Sequence, residues 1–167
     1  GMIDCKRILK HLVTPQWGVR RAFPPPVLAR IEAAIAASET HHRGEIRFAV
    51  EGALDLMPLI KGITPRERAL QVFSELRVWD TEQNTGVLVY LQFIDRDIEI
   101  VADRGVNARV AQKEWDMVCQ RMEEAFHVGR YEHGMLSGIE RITALLTAHF
   151  PARRVNPDEL PDKPVTL

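Results

Sequence analysis

Long apolar runs, clustered cysteines and an excess of charge of one sign are all missing from this sequence. No stretch approaches the roughly 18 consecutive apolar residues that a membrane span requires. The first residues mix charge with apolar side chains (Asp4, Lys6, Arg7 and Lys10 among Met2, Ile3, Ile8 and Leu9), where a signal peptide would be continuously apolar. A cytoplasmic protein without a transmembrane segment is therefore expected. Cys5 and Cys119 are the two cysteines and lack the spacing of a metal pair, so two reduced thiols are expected. With 22 Lys and Arg against 23 Asp and Glu, the formal net charge of −1 leaves no electrostatic footprint for nucleic acid or an anionic membrane. Nucleic acid is not expected as a partner.

Common catalytic signatures are absent too. There is no GxxxxGK[ST], GxGxxG or GxSxG, which removes support for a phosphate-cradling loop or a serine elbow. His41, His42, His127 and His133 form no i, i+4 pair of the zinc-protease type. Cys119 lies in a helical pattern with Ala125 where a cysteine phosphatase would carry arginine. Asp95-Arg96-Asp97 reads as a turn, a place that favours aspartate for local hydrogen bonding.

What is present is 167 residues, 46% hydrophobic and 27% charged, enough for one globular domain with a single core. Residues 2–23 mix basic and apolar side chains and read as a helical docking segment, residues 24–151 as the domain, and residues 152–167 as a proline-rich, flexible tail. After Pro24-Pro25-Pro26, the stripe Leu28, Ile31, Ile35 predicts a helix. Ile46, Phe48 and Val50 alternate with Arg47, Ala49 and Glu51, as in a half-buried strand. Thr64-Pro65-Arg66-Glu67 is a capping box that opens a helix with Ala69, Leu70, Phe73 and Leu76 on its buried face. Residues 87–94 are apolar except for Gln92 and predict a central strand, with residues 98–102 its antiparallel hairpin partner. Two helices close the domain, one carrying Trp115, Val118, Met122 and Phe126, the other Met135, Ile139, Ile142, Leu145 and Leu146. The order predicts a three-layer α/β/α sandwich around a small mixed β-sheet.

A helical crossover between the first two strands makes them parallel, so both start at one edge, to which the third strand returns. Three acidic segments then meet there: Glu39 with Glu45, Trp79-Asp80-Thr81-Glu82-Gln83-Asn84, and Asp103-Arg104. Carboxylate, amide and carbonyl oxygens gathered at one edge suit a hard divalent cation. Each segment also has a plain structural role: a loop closed by an Asx turn with Gly86 at positive φ, or Asp103 as a helix cap.

The run Val78-Trp79-Asp80-Thr81-Glu82-Gln83-Asn84-Thr85-Gly86-Val87-Leu88-Val89-Tyr90-Leu91, followed by Glu99-Ile100-Val101-Ala102-Asp103-Arg104-Gly105-Val106, resembles the TPM domain family. Supporting features are Glu39 with Gly44-Glu45-Ile46, Arg68-Ala69 with Phe73, and Phe126-His127-Val128-Gly129-Arg130-Tyr131 ahead of Gly134. The resemblance spans residues 24–151 and implies an α/β/α sandwich with a calcium-class site, Ca2+ with Mg2+ or Mn2+ as alternatives. The implied ligands are Glu39, Asp80, Asn84 and Asp103. The family's usual second asparagine is Thr85 here, and the signal peptide and membrane anchor of many members are missing, which points to a cytoplasmic, bacterial-type branch. Two functions follow from the resemblance. One is an accessory module that docks a protein partner, as family relatives do in membrane-protein assembly and repair. The other is a cation-assisted acid phosphatase acting on a phosphomonoester, with Asp80 as base and Asp103 and Arg104 completing the catalytic set.

Overall fold

The computed structural model describes residues 17–52, 61–152 and 162–167. In chain order these form α1 (Trp17–Ala22), α2 (Pro25–Ser38), β1 (Glu45–Glu51), α3 (Pro65–Glu75), β2 (Gly86–Gln92), β3 (Asp97–Ala102), α4 (Arg104–Asn107), α5 (Gln112–His127), α6 (Tyr131–His149) and β4 (Val165–Thr166). The sheet order is β3-β2-β1-β4; β1 is parallel to β2 and to β4, and β2 is antiparallel to β3.

Each sheet face is covered, which makes the expected three layers. Ile46, Phe48, Val50, Val87, Val89 and Leu91 pack against α1, α2, α5 and α6, while Ala49, Leu88, Tyr90 and Val101 pack against Ala69 and Val72 of α3. β1 is thus buried on both faces, unlike the half-buried strand its alternation suggests. The reason is Arg68 of α3, whose guanidinium grips Glu51 through Nε at 2.8 Å and Nη2 at 2.9 Å, so that a charged side chain is covered together with its partner.

The helix faces follow their 3.6-residue spacing, with Leu70 the clear exception and Leu28, Phe73 and Leu76 half-buried. Leu70 is 48% exposed and Val72 takes its place in the core, because Ala69, Val72 and Phe73 share the sheet-facing side of α3. Leu145 is half-buried at the margin of the α6 stripe. The Thr64 cap forms as expected, its Oγ1 accepting the Glu67 amide at 3.1 Å.

Both ends of the chain add to the core and the sheet. Most of the N-terminal docking segment, residues 2–16 with Cys5, lies outside the described residues, but its last part is α1, which sends Val19 and Phe23 into the core. In the 152–167 segment, expected as a flexible tail, the last residues complete the sheet: Val165 and Thr166 pair with Ala49 and Val50, and the Leu167 amide donates to Val50 O at 2.8 Å. No described helix is long and apolar enough to cross a membrane.

Candidate functional site

The acidic edge is built by strand register. Glu45 lies beside Gly86 and Val87 beside Ala102, so the starts of β1 and β2 and the end of β3 share one side of the sheet. The loop before β2 is tied to both neighbours: the Glu45 amide donates to Thr85 O at 3.0 Å, and the Gly105 amide donates to Asn84 O at 3.0 Å. Thr81 Oγ1 accepts the Thr85 amide at 2.9 Å and closes the turn. Positive φ falls at Asn84 (56°), whereas Gly86 is required for another reason: a Cβ there would strike the backbone oxygen of Val78.

Of the four expected ligands, Glu39 is the one buried among other carboxylates. Its Oε2 accepts the Ile46 amide at 2.9 Å, and its carboxyl group has Glu45 and Asp162 as acidic neighbours. Burial first, and then these two acidic neighbours, push the Glu39 carboxyl far above the ordinary carboxylate range. Asp103 caps α4, its Oδ1 accepting the Arg104 amide at 2.7 Å, and its Oδ2 is buried with no hydrogen-bond partner among the described residues. Asn84 contributes its backbone to the loop. Asp80 stands apart: its side chain is 58% exposed and paired with Arg77 Nη2 at 3.3 Å. Arg104 is exposed.

Glu45 and Asp162 are the acidic neighbours of Glu39, and among the described residues no contact brings Asp103 to this group. The buried oxygens Asp103 Oδ2 and Asp162 Oδ1 accept no hydrogen bond from a described residue. Among the described residues no group of three or more His, Cys, Asp or Glu side chains is placed to hold a metal ion. The acidic neighbours of Glu39 all offer oxygen, the donor type that a hard cation takes.

Beside Glu39 runs a polar chain that sequence patterns do not reveal. The Gly44 amide donates to His42 Nδ1 at 3.1 Å, so neutral His42 carries its proton on Nε2 and donates it to Ser38 Oγ at 2.8 Å. Ser38 then donates to Thr143 Oγ1 at 2.6 Å, and Thr143 to Ile139 O at 2.6 Å. The direction of donation prevents His42 from acting as a base toward Ser38. Burial lowers the His42 pKa to about 4.

The opposite edge, where open α/β sheets commonly bind ligands, is filled by paired polar groups. Tyr90 Oη donates to Glu51 Oε1 at 2.7 Å alongside the Arg68 contacts, and Gln92 Nε2 donates to Gly52 O at 2.9 Å.

Comparison with known proteins agrees with this architecture. The NMR structure of BA42 protein from the psychrophilic bacterium Bizionia argentinensis superposes with a TM-score of 0.75 at 29% identity, covering 84% of this chain and 92% of that one. Curated protein sequences give no match. The TPM domain model matches residues 21–145, three-quarters of the sequence and every described element except β4 and the ends of α1 and α6. The chain belongs to the TPM domain family.

Proposed function

We propose that the protein is a TPM-domain accessory module that takes a calcium-class divalent cation at its acidic edge and docks a protein partner in membrane-protein or stress-related maintenance. The observation that carries this reading is the meeting of buried Glu39 and Glu45 with half-buried Asp162. Carboxylates so placed need either protons or a cation between them, because two bare charges at hydrogen-bond distance repel strongly in a poorly solvated site. A divalent ion answers that need with oxygen ligands, and the long, flexible coordination of Ca2+ tolerates a mixed set better than octahedral Mg2+ does. Mn2+ is the third candidate.

A catalytic role has weaker support in the side chains. Ser38 accepts a hydrogen bond from His42 Nε2 and so finds no base there, and burial raises the half-buried Cys119 thiol to about 12, so neither is an activated nucleophile.

Thermal melts of chelator-treated protein, with and without millimolar CaCl2, MgCl2 or MnCl2, test the cation reading. A ligand selective for the folded state stabilises by about 2.7 kcal/mol at a hundred times its dissociation constant, which a melting curve resolves. A calcium-specific rise in Tm is expected; identical curves with all three ions contradict it.

A further inference from the structure

The outer seam between α5 and α6, away from the acidic edge, holds a trough. Its floor depends on Gly134 and Gly138. A Cβ at Gly138 would lie 2.5 Å from Met122 Sδ and one at Gly134 2.7 Å from Phe126 Cε1, so the helices close tightly below while the space above the glycines stays hollow. The hollow has a volume of about 450 Å3. His133 and Ser137, 3.5 Å apart, stand on one wall. A second hollow of about 280 Å3 continues along the seam and is apolar, lined by Val118, Leu145 and Met117, the last 51% exposed.

Arg121 from α5 and Arg141 from α6 line both hollows and so mark their junction. Neither arginine has a hydrogen-bond or ion-pair partner among the described residues. The trough thus has a donor-rich half, an apolar half and two positive charges between them. Glu124 and Glu114 stand at its two ends and confine the positive stretch to the middle.

We propose that this trough binds a dianionic phosphomonoester with an aliphatic stem, its phosphoryl oxygens on Arg121 and Arg141 and its stem over Met117, Val118 and Leu145. A dianion compensates both guanidiniums, where a monocarboxylate would leave one unanswered, and guanidinium forks match phosphate oxygens two at a time. Ser137 and His133 supply further donors on the same side. The apolar hollow accounts for the stem, because a bare phosphate would leave Met117 and Leu145 as wet as they are now.

The experiment titrates the full chain with hexyl phosphate, inorganic phosphate and hexanol by calorimetry and by amide chemical shifts. Hexyl phosphate should bind at least roughly tenfold more tightly than either fragment, since a few buried methylenes suffice for that factor. R121Q/R141Q, altered only at two exposed positions, should weaken it by about tenfold or more. Asp80→Asn and Glu39→Gln should leave it unchanged. Flotation with vesicles of phosphatidic acid or phosphatidylcholine separates the sources. Phosphatidic-acid binding that R121Q/R141Q abolishes assigns the ligand to a membrane, and soluble binding alone assigns it to a free phosphomonoester. Hexyl phosphate binding no tighter than inorganic phosphate, or equally tight in R121Q/R141Q, overturns the proposal.

Discussion

Glu39 and Glu45 lie beside each other where the chain passes from α2 into β1, both side chains buried. Buried carboxyl groups so close disfavour two bare charges, and Asp162 brings a third acid to the same place from the far end of the sequence. The charge of the edge is therefore set by what occupies it.

Glu39→Gln keeps an oxygen for the Ile46 amide and turns a reluctant acid into a neutral donor toward Glu45 and Asp162. In chelator-treated protein at neutral pH the variant should be more stable than the parent by about 2 kcal/mol, because it never has to take up a proton against the solution. The same variant should lose the calcium-dependent rise in Tm. Denaturant unfolding with and without calcium checks both halves.

His42 and Glu39 act on stability with opposite pH dependence. The His42 pKa falls from 6.5 unfolded to about 4 folded, so stability is fully present above 6.5 and is lost as pH falls toward 4, by about 3 kcal/mol in all. The Glu39 pKa is raised, so its contribution is fully present below 4.5 and is lost as pH rises toward the folded value. Unfolding curves of Glu39→Gln with and without His42→Gln between pH 7 and pH 4 isolate the histidine by difference, since Glu99 and Glu123, also raised by burial, are common to both. The protein that keeps His42 should lose more stability as pH falls. A flat difference would show that His42 charges without cost.

The helix stripes of α5 were legible because Trp115, Val118, Met122 and Phe126 recur at one angle, and all four are buried. The parallel run of β1 and β2 and the β2–β3 hairpin followed from the helical crossover and the short Asp95-Arg96 turn, whereas β4 lies in the segment expected to be a tail. Leu70 misleads because apolar character alone does not say which side of a helix meets the sheet, and Leu70 lies beside the contact line that Ala69 and Val72 define. At the acidic edge, topology brought the right segments together, yet side-chain direction could not be read from it. Asp80 turns to Arg77, three residues earlier in the chain, and Asp162 arrives with β4, which is too short to show a pattern.

Arg68→Ala should destabilise by about 3 kcal/mol. It strips a bidentate partner from Glu51, a carboxylate covered by the sheet and α3 and then held by Tyr90 alone. Tyr90→Phe removes one neutral donor to that carboxylate and should cost about 1–2 kcal/mol. Chemical denaturation of both variants measures the difference.

Two glycine substitutions should separate backbone crowding from side-chain crowding. Gly86→Ala sets a methyl group against the Val78 carbonyl, which the strand cannot move, and should lower Tm severely. Gly138→Ala meets the flexible thioether of Met122, which can turn aside, and the better helix propensity of alanine offsets part of the cost. Melting curves should rank Gly138→Ala well above Gly86→Ala.

The most direct measurement is a calorimetric titration of CaCl2 into chelator-treated protein, repeated with Glu39→Gln. A cation held by Glu39, Glu45 and Asp162 requires saturable calcium binding in the parent, proton release that grows as pH falls, and loss of both in the variant. Binding that persists unchanged in Glu39→Gln, or no calcium binding in the parent, would contradict a cation site at this edge.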